Sequence, residues 1–282
     1  MNVLYSGDAN IRDGVLISSL SLARNVKEPL RIFVLTASLE QDGEIKTALE
    51  KSFATFLEGC LKKYNSEHAV TIIDISEKFR SHLPSANLNT RFTPFCMLRL
   101  FADELEELPE RLLYLDNDVI CCKDPSDFYY QDISDVSLCG VLDHYGSWFF
   151  RRKFYKRDYL NSGVLLLNLS KIRSNGLFRK AREMCAVKRM FMPDQSALNK
   201  LCEDKRICPR AYNEQRILRE DTVFRHFTTS FRFFPYFHTV SVKPWNVEAM
   251  HNVLKLFEYD DLLNEYLESK VIYQGEFKYE YK

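Results

Sequence analysis

The 282-residue chain is 46% hydrophobic and 28% charged, a globular balance that excludes long disorder and collagen-like repeats. Lys plus Arg and Asp plus Glu number 39 each, so no basic excess points to a nucleic-acid partner. No apolar run approaches the roughly 18 residues of a membrane helix. The start, Met1 to Tyr5, lacks the basic region of a signal peptide, and the eight cysteines contain no C-x-x-C. Together these features predict a cytoplasmic protein with reduced thiols and no structural zinc.

In chain order, Asn2 to Ser6 reads as a short strand that stops at Gly7-Asp8, and Val15 to Arg24 has helical spacing. Leu30 to Leu35 is a second buried strand, so the first forty residues form a βαβ unit of a parallel sheet. Glu40 to Tyr64 reads as a long helix or helix pair, and Val70 to Ile75 as a third strand. After turn-rich residues 84–94, Met97 to Leu108 reads as an amphipathic helix. Leu112 to Leu115 is an apolar strand running into Asp116-Asn117-Asp118. Ser137 to Leu142 ends at Asp143, Gly163 to Leu169 is another buried strand, and Thr222 to Phe227 is the last expected. From Val247 the pattern is one or two amphipathic helices and a polar tail. The expected architecture is α/β: a Rossmann-like, mostly parallel sheet flanked by helices, with residues 1–245 catalytic and 246–282 a small helical appendage.

Neither G-x-G-x-x-G nor G-x-x-x-x-G-K-[ST] occurs, so a phosphate here needs something other than a glycine-rich cradle. Asp116 and Asp118 supply the obvious substitute. Two carboxylates two residues apart, just past the carboxyl end of a strand, face one side of the ligand edge of an α/β sheet. Hard oxygen ligands suit Mg²⁺ or Mn²⁺, which bridge phosphates. Asp8 and Asn10 also follow a strand, with an Asx turn or helix cap as the alternative role. Arg99 follows apolar Met97-Leu98 and reads as an anion-facing cation or a surface charge. Asn161 offers a donor and an acceptor to sugar hydroxyls, and Gly163 permits close backbone approach to a ligand. Asp194 and Gln195 open a helix, either as a cap or as groups that grip a sugar. Lys243 is a point charge fit for a diphosphate.

These segments resemble, in order, the retaining glycosyltransferases of family 8, which have the GT-A fold and include lipopolysaccharide galactosyl- and glucosyltransferases and glycogenin. Asp116-Asn117-Asp118 is similar to the family's metal-binding D-x-D. Tyr5-Ser6-Gly7-Asp8-Ala9-Asn10 resembles the strand end whose Asp and Asn contact uracil. Arg99 is placed like the family Arg near the phosphates and donor sugar, and Asp143 like its sugar-contacting Asp. Leu160 to Asn168, containing Asn161, Ser162 and Gly163, looks like F-N-[SA]-G-V-x-L-x-N. Asp194 to Asn199 is similar to D-Q-D-x-x-N, and Lys243-Pro244-Trp245 to K-P-W.

The resemblance implies transfer of glucose or galactose from a UDP-sugar to a hydroxyl acceptor with retained anomeric configuration. The metal is Mn²⁺ or Mg²⁺ on Asp116, Asp118 and a His. Asp194, Gln195 and Asn161 act at the reacting centre, and Asp8, Asn10, Arg99, Asn117, Asp143, Ser162, Gly163 and Lys243 bind substrate. The acceptor is a saccharide or glycolipid of a surface polysaccharide, with at most peripheral contact at the inner membrane face.

One departure concerns the metal His, which the family sets six residues before the K-P-W Lys; position 237 here is Phe. His226 ends a strand and is favoured over His238, at the cost of an aromatic insertion from Thr229 to Thr239. The basic aromatic stretch Phe149 to Arg157 either lines an acceptor cleft, touches an anionic surface, or is a solvated loop. The rival readings are a haloacid-dehalogenase-like phosphatase with Asp116 as nucleophile and a sugar-nucleotide-binding module without turnover.

Overall fold

The structure is a computed structural model that describes residues 1–41, 43–90, 93–145, 158–232 and 238–276. The Phe149 to Arg157 stretch and positions 233–237 of the aromatic insertion lie outside the described residues.

Its strands are β1 (Asn2–Ser6), β2 (Arg31–Thr36), β3 (Leu39–Gln41), β4 (Glu44–Lys46), β5 (Ala69–Asp74), β6 (Arg111–Leu115), β7 (Val119–Cys121), β8 (Leu138–Leu142), β9 (Leu160–Asn168), β10 (Arg206–Ile207), β11 (Phe224–His226), β12 (Ser230–Arg232) and β13 (His238–Val240). Seven of them form one sheet in the order β10-β8-β9-β6-β1-β2-β5. β1 pairs in parallel with β2 and β6, β2 with β5, and β10 with β8; only β9 runs antiparallel, between β6 and β8.

Alternation sends successive side chains to opposite faces. Val3, Tyr5, Ile32, Val34, Leu113, Leu115, Val164 and Leu166 pack under the helix Arg12–Asn25 and the helix Lys51–Leu61. Leu4, Leu35, Leu112, Tyr114, Leu165 and Leu167 pack under Pro94–Glu104 and the helix Leu177–Val187. Each fully buried large apolar side chain contributes about 1.5–3 kcal/mol. Burial on both faces explains why these strands read as continuous apolar runs. The C-terminal helix Asp260–Glu276 joins the first of these cores through Leu262, Leu263, Tyr266 and Tyr273. Among the described residues no helix is long and apolar enough to cross a membrane.

Four local expectations change. The span Glu40 to Tyr64 is not helical throughout: the β3–β4 hairpin comes first, and the helix begins at Lys51. The apolar stretch before β6 starts at Pro94 and is wound as a 3₁₀ helix to Glu104, buried on most sides. Over eleven residues with apolar positions nearly all round, periods of 3.0 and 3.6 cannot be told apart in sequence. β9 begins three residues before Gly163, and its register with β8 jumps from Gly140↔Leu165 to Val141↔Asn161. Ser162, Gly163 and Val164 therefore bulge away from β8, which turns them to the carboxyl edge of β6. Finally, β11 is not the last strand: β12 and β13 pair antiparallel within the expected insertion.

Candidate metal and sugar-nucleotide centre

The D-x-D segment leaves β6 in a tight turn. The Asp116 amide donates to Gly163 O at 2.8 Å, and the Val119 amide donates to Asp116 O at 3.2 Å. The chain then enters β7, which pairs antiparallel with β11 so that Val119 lies opposite His226. The Phe227 amide donates to Asp118 O at 3.0 Å and locks the two strands in this register. An imidazole from a segment more than a hundred residues away thus arrives on a rigid strand. His226 Nε2 lies 3.1 Å from Asp118 Oδ1 and 3.7 Å from Asp116 Oδ2. One atom from each of Asp116, Asp118 and His226 lies within 4.8 Å of the others. His238 sits on β13, opposite Arg232, and is not a member of this group.

The residues fit a divalent cation. Asp118 Oδ1 is buried and has no hydrogen-bond donor, although it faces the cluster. Such a group is costly in a protein interior unless a cation or proton completes it. Its other oxygen accepts from the Lys243 ammonium, which also donates to Phe227 O at 2.8 Å. Burial opposes ionisation of Asp118, but Lys243 and His226 outweigh it and hold the carboxyl well below the usual range. Gly163 makes the assembly possible. A Cβ there would lie 2.1 Å from His226 Cε1 and 2.8 Å from Asp116 Oδ2. The sequence anticipates close approach of a ligand to Gly163; in the structure, His226 and Asp116 occupy that space.

Arg99 is no surface charge. It is 3% exposed; from the 3₁₀ segment Nε donates to Cys96 O at 2.9 Å, and the guanidinium reaches Asp116, Ser162 and Asp194. Nη2 donates to Asp116 Oδ1 at 2.8 Å, Nη1 donates to Ser162 O at 2.6 Å, and Nε lies 3.3 Å from Asp194 Oδ2. Its guanidinium lies over the Tyr114 ring, 4.0 Å from the centroid. Burial works against its charge, yet Tyr114, Asp116 and Asp194 raise its pKa. The Tyr114 hydroxyl donates to Asp116 Oδ1 at 2.8 Å. Asp116 is therefore held by two donors on one oxygen and faces His226 with the other, the setting of a ligand rather than of a free nucleophile.

Across the bulge, the helix Pro193–Leu201 brings Asp194 and Gln195 to Ser162. The Ser162 amide donates to Gln195 Oε1 at 3.0 Å, and the Ser162 hydroxyl donates to Asp194 Oδ2 at 3.3 Å. Asp143, at the end of β8, accepts from Asn161 Nδ2 at 3.0 Å and from Gln195 Nε2 at 3.2 Å. At the far side of β1, Asp8 accepts from the Asn10 amide at 3.3 Å and from Asn10 Nδ2 at 2.9 Å, capping a short 3₁₀ turn. Asn117 packs against the helix Arg12–Asn25 at Gly14, where a Cβ would lie 2.4 Å from Asn117 O and 2.8 Å from the Trp245 ring.

Two residues of the cluster are not found by the sequence argument. Tyr114 is legible only as one more apolar strand position, and its hydroxyl role depends on Asp116 folding back over it. Asn213 ends the 3₁₀ turn Arg210–Asn213, is fully buried, and bridges Asn161 and His226. No motif or periodicity marks it.

The profile of glycosyl transferase family 8 matches residues 2–249. The chain is 26% identical over 286 residues to a lipopolysaccharide 1,2-glucosyltransferase of Escherichia coli K12, covering 92% of this chain and 76% of that protein. It is also 26% identical over 277 residues to a lipopolysaccharide 1,3-galactosyltransferase of Salmonella typhimurium LT2, covering 91% and 76%. The crystal structure of galactosyltransferase LgtC with donor and acceptor sugar analogues superposes with a TM-score of 0.68 at 18% identity, covering 95% of this chain and 96% of that one. With a profile match over nearly the whole sheet and its ligand edge, the chain belongs to glycosyltransferase family 8 and is a glycosyltransferase of the GT-A fold.

Proposed function

We propose that the protein transfers a hexose, glucose or galactose, from a UDP-sugar to a hydroxyl of a saccharide or glycolipid acceptor, retaining the anomeric configuration. The observation that carries this reading is the Asp116–Asp118–His226 cluster beside the ammonium of Lys243, at the carboxyl edge of β6. The names of the two lipopolysaccharide relatives support the hexoses and the glycolipid acceptor.

Asp116, Asp118 and His226 would hold Mn²⁺ or Mg²⁺, whose positive charge would stabilise the departing diphosphate. Lys243 adds a second cation on the same side. Asp8 and Asn10, at the end of β1, read the base. Asp143, Asn161 and Gln195, joined to one another by hydrogen bonds, form the polar wall that orients the sugar hydroxyls. Asp194 is held by Arg99 and Ser162, and both ends of the Gln195 amide are engaged. An amide is a poor nucleophile and Asp194 Oδ2 is tied to Arg99 and Ser162, which supports attack by the acceptor on the face that UDP leaves, with Asp194 and Gln195 stabilising the cationic sugar. The phosphatase reading is not favoured, because Asp116 is bound by Arg99 and Tyr114.

The test is UDP release from a panel of UDP-hexoses with Mn²⁺, followed by acceptor profiling. One UDP-hexose is expected to turn over, and Asp118→Asn is expected to abolish it with little loss of fold. Equal activity of Asp118→Asn and the wild type would sink the assignment.

A further inference from the structure

A neutral imidazole carries one ring proton, and only the bare nitrogen can bind a cation. Which nitrogen of His226 is bare follows from a chain of hydrogen bonds that starts at the backbone. The Gly163 amide can only donate, and it donates to Asn161 Oδ1 at 3.0 Å. At the other end of the same side chain, Asn161 Nδ2 donates to the Asp143 carboxylate at 3.0 Å. Asn161 is therefore held one way round from both ends. The atom of Asn213 that meets Asn161 Oδ1 at 2.9 Å must be its NH₂. Its carbonyl oxygen then faces His226 Nδ1 at 3.2 Å. A carbonyl only accepts, so Nδ1 carries the proton. Nε2 is the nitrogen left for a cation, and it faces Asp118 Oδ1 at 3.1 Å.

We propose that Asn213 is a positioning residue that sets the tautomer and ring orientation of His226 for cation binding. Its other end ties His226 through Asn161 to Asp143 and Gln195, so the cation cluster and the sugar wall are aligned as one unit. The inference rests on the cation reading given above. Partners of this kind, which hold the second nitrogen of a ligating His, typically contribute 10- to 100-fold in metal affinity.

Two measurements test it on the full chain. The first is the tautomer of His226 in the metal-free protein, read from long-range proton–nitrogen correlations on nitrogen-15 histidine and assigned with His226→Ala. The second is Mn²⁺ affinity by isothermal titration with the metal alone. The wild type is expected to hold a proton on His226 Nδ1. Asn213→Ala is expected to lose that preference and weaken Mn²⁺ about 10- to 100-fold. Asn213→Asp still accepts from Nδ1–H but cannot donate to Asn161. It is expected to keep the tautomer and Mn²⁺ affinity while kcat with UDP-hexose falls, a split that general destabilisation would not produce. If Asn213→Ala fails to fold, Asn213→Asp decides alone.

An Asn213→Ala protein with the Nδ1–H tautomer and wild-type Mn²⁺ affinity would overturn the proposal, as would Asn213→Asp losing Mn²⁺. His226→Ala separates the two levels. If it too leaves Mn²⁺ affinity unchanged, the cation reading itself has failed and takes this inference with it. If it weakens Mn²⁺ while Asn213→Ala does not, the inference alone falls.

Discussion

At the residue scale, the centre depends on two positions that have almost no latitude. His226 meets both carboxylates because β11 delivers it opposite Val119, whereas His238 lies on β13. Under the proposed cation reading, His226→Ala is expected to raise the Mn²⁺ requirement at least tenfold, about 1.4 kcal/mol. His238→Ala should leave it nearly unchanged; a metal titration with the reverse pattern would transfer the ligand role to His238. Gly163 is the second position. A methyl group 2.1 Å from His226 Cε1 is far inside van der Waals contact, and the ring cannot retreat without leaving Asp116 and Asp118. Gly163→Ala is therefore expected to weaken Mn²⁺ at least as much as removing the imidazole does, about tenfold or more, although it deletes no ligand. Calorimetric Mn²⁺ affinity equal to the wild type would refute the steric argument.

At the scale of elements, the ligand edge is built by irregularities laid on a regular sheet. The β8–β9 register jump turns Ser162 and Gly163 out, and the β7–β11 pair forms a second layer that carries His226. The helix Arg12–Asn25 closes the assembly at Gly14, pressed between Asn117 and Trp245. In an open helix, Gly→Ala stabilises by about 1 kcal/mol. Here the added Cβ would lie 2.4 Å from a backbone carbonyl that cannot rotate away. Overpacking of this kind costs about 1–3 kcal/mol and outweighs the propensity gain. Gly14→Ala is expected to lower the urea midpoint and displace the D-x-D turn. A higher midpoint would mean the turn can move off the helix freely.

For the whole molecule, binding should appear as stability. A ligand that binds only the native state at about 100 times its Kd adds about 2.7 kcal/mol. The cluster presents two carboxylates to any incoming diphosphate, so without a cation the charges repel. A UDP-hexose is therefore expected to raise Tm only when Mn²⁺ or Mg²⁺ is present, and the GDP and CDP analogues to raise it less. Equal shifts for all nucleoside diphosphates would remove Asp8 and Asn10 from base recognition, and equal shifts with and without the metal would remove the cation from donor binding.

How much of this was legible beforehand differs by feature. Periodicity alone located β1, β2, β5, β6 and β8, because strands buried on both faces leave continuous apolar runs of about five residues. Asp116, Asp118, Asp194 and Gln195 could be singled out because each sits where a strand ends or a helix begins, a position that local sequence marks; Asp143 was singled out by the resemblance to family 8. Glu40 to Tyr64 misled because its apolar residues do not distinguish a hairpin followed by a helix from one long helix. Position along the chain could suggest His226 but not bring it to Asp118; the β7–β11 register does that, and pairing between distant segments is a tertiary event. The roles of Tyr114 and Asn213 were invisible for the same reason. A hydroxyl or an amide acquires a function only from what the fold sets within hydrogen-bond reach. Sequence by itself thus determined which residues are candidates for chemistry at the sheet edge, since that follows from residue type, local periodicity and the order of motifs shared with family 8. Only the tertiary structure decided how they are aimed, since orientation comes from a register jump, a strand pair and a chain of hydrogen bonds that join segments far apart in the chain.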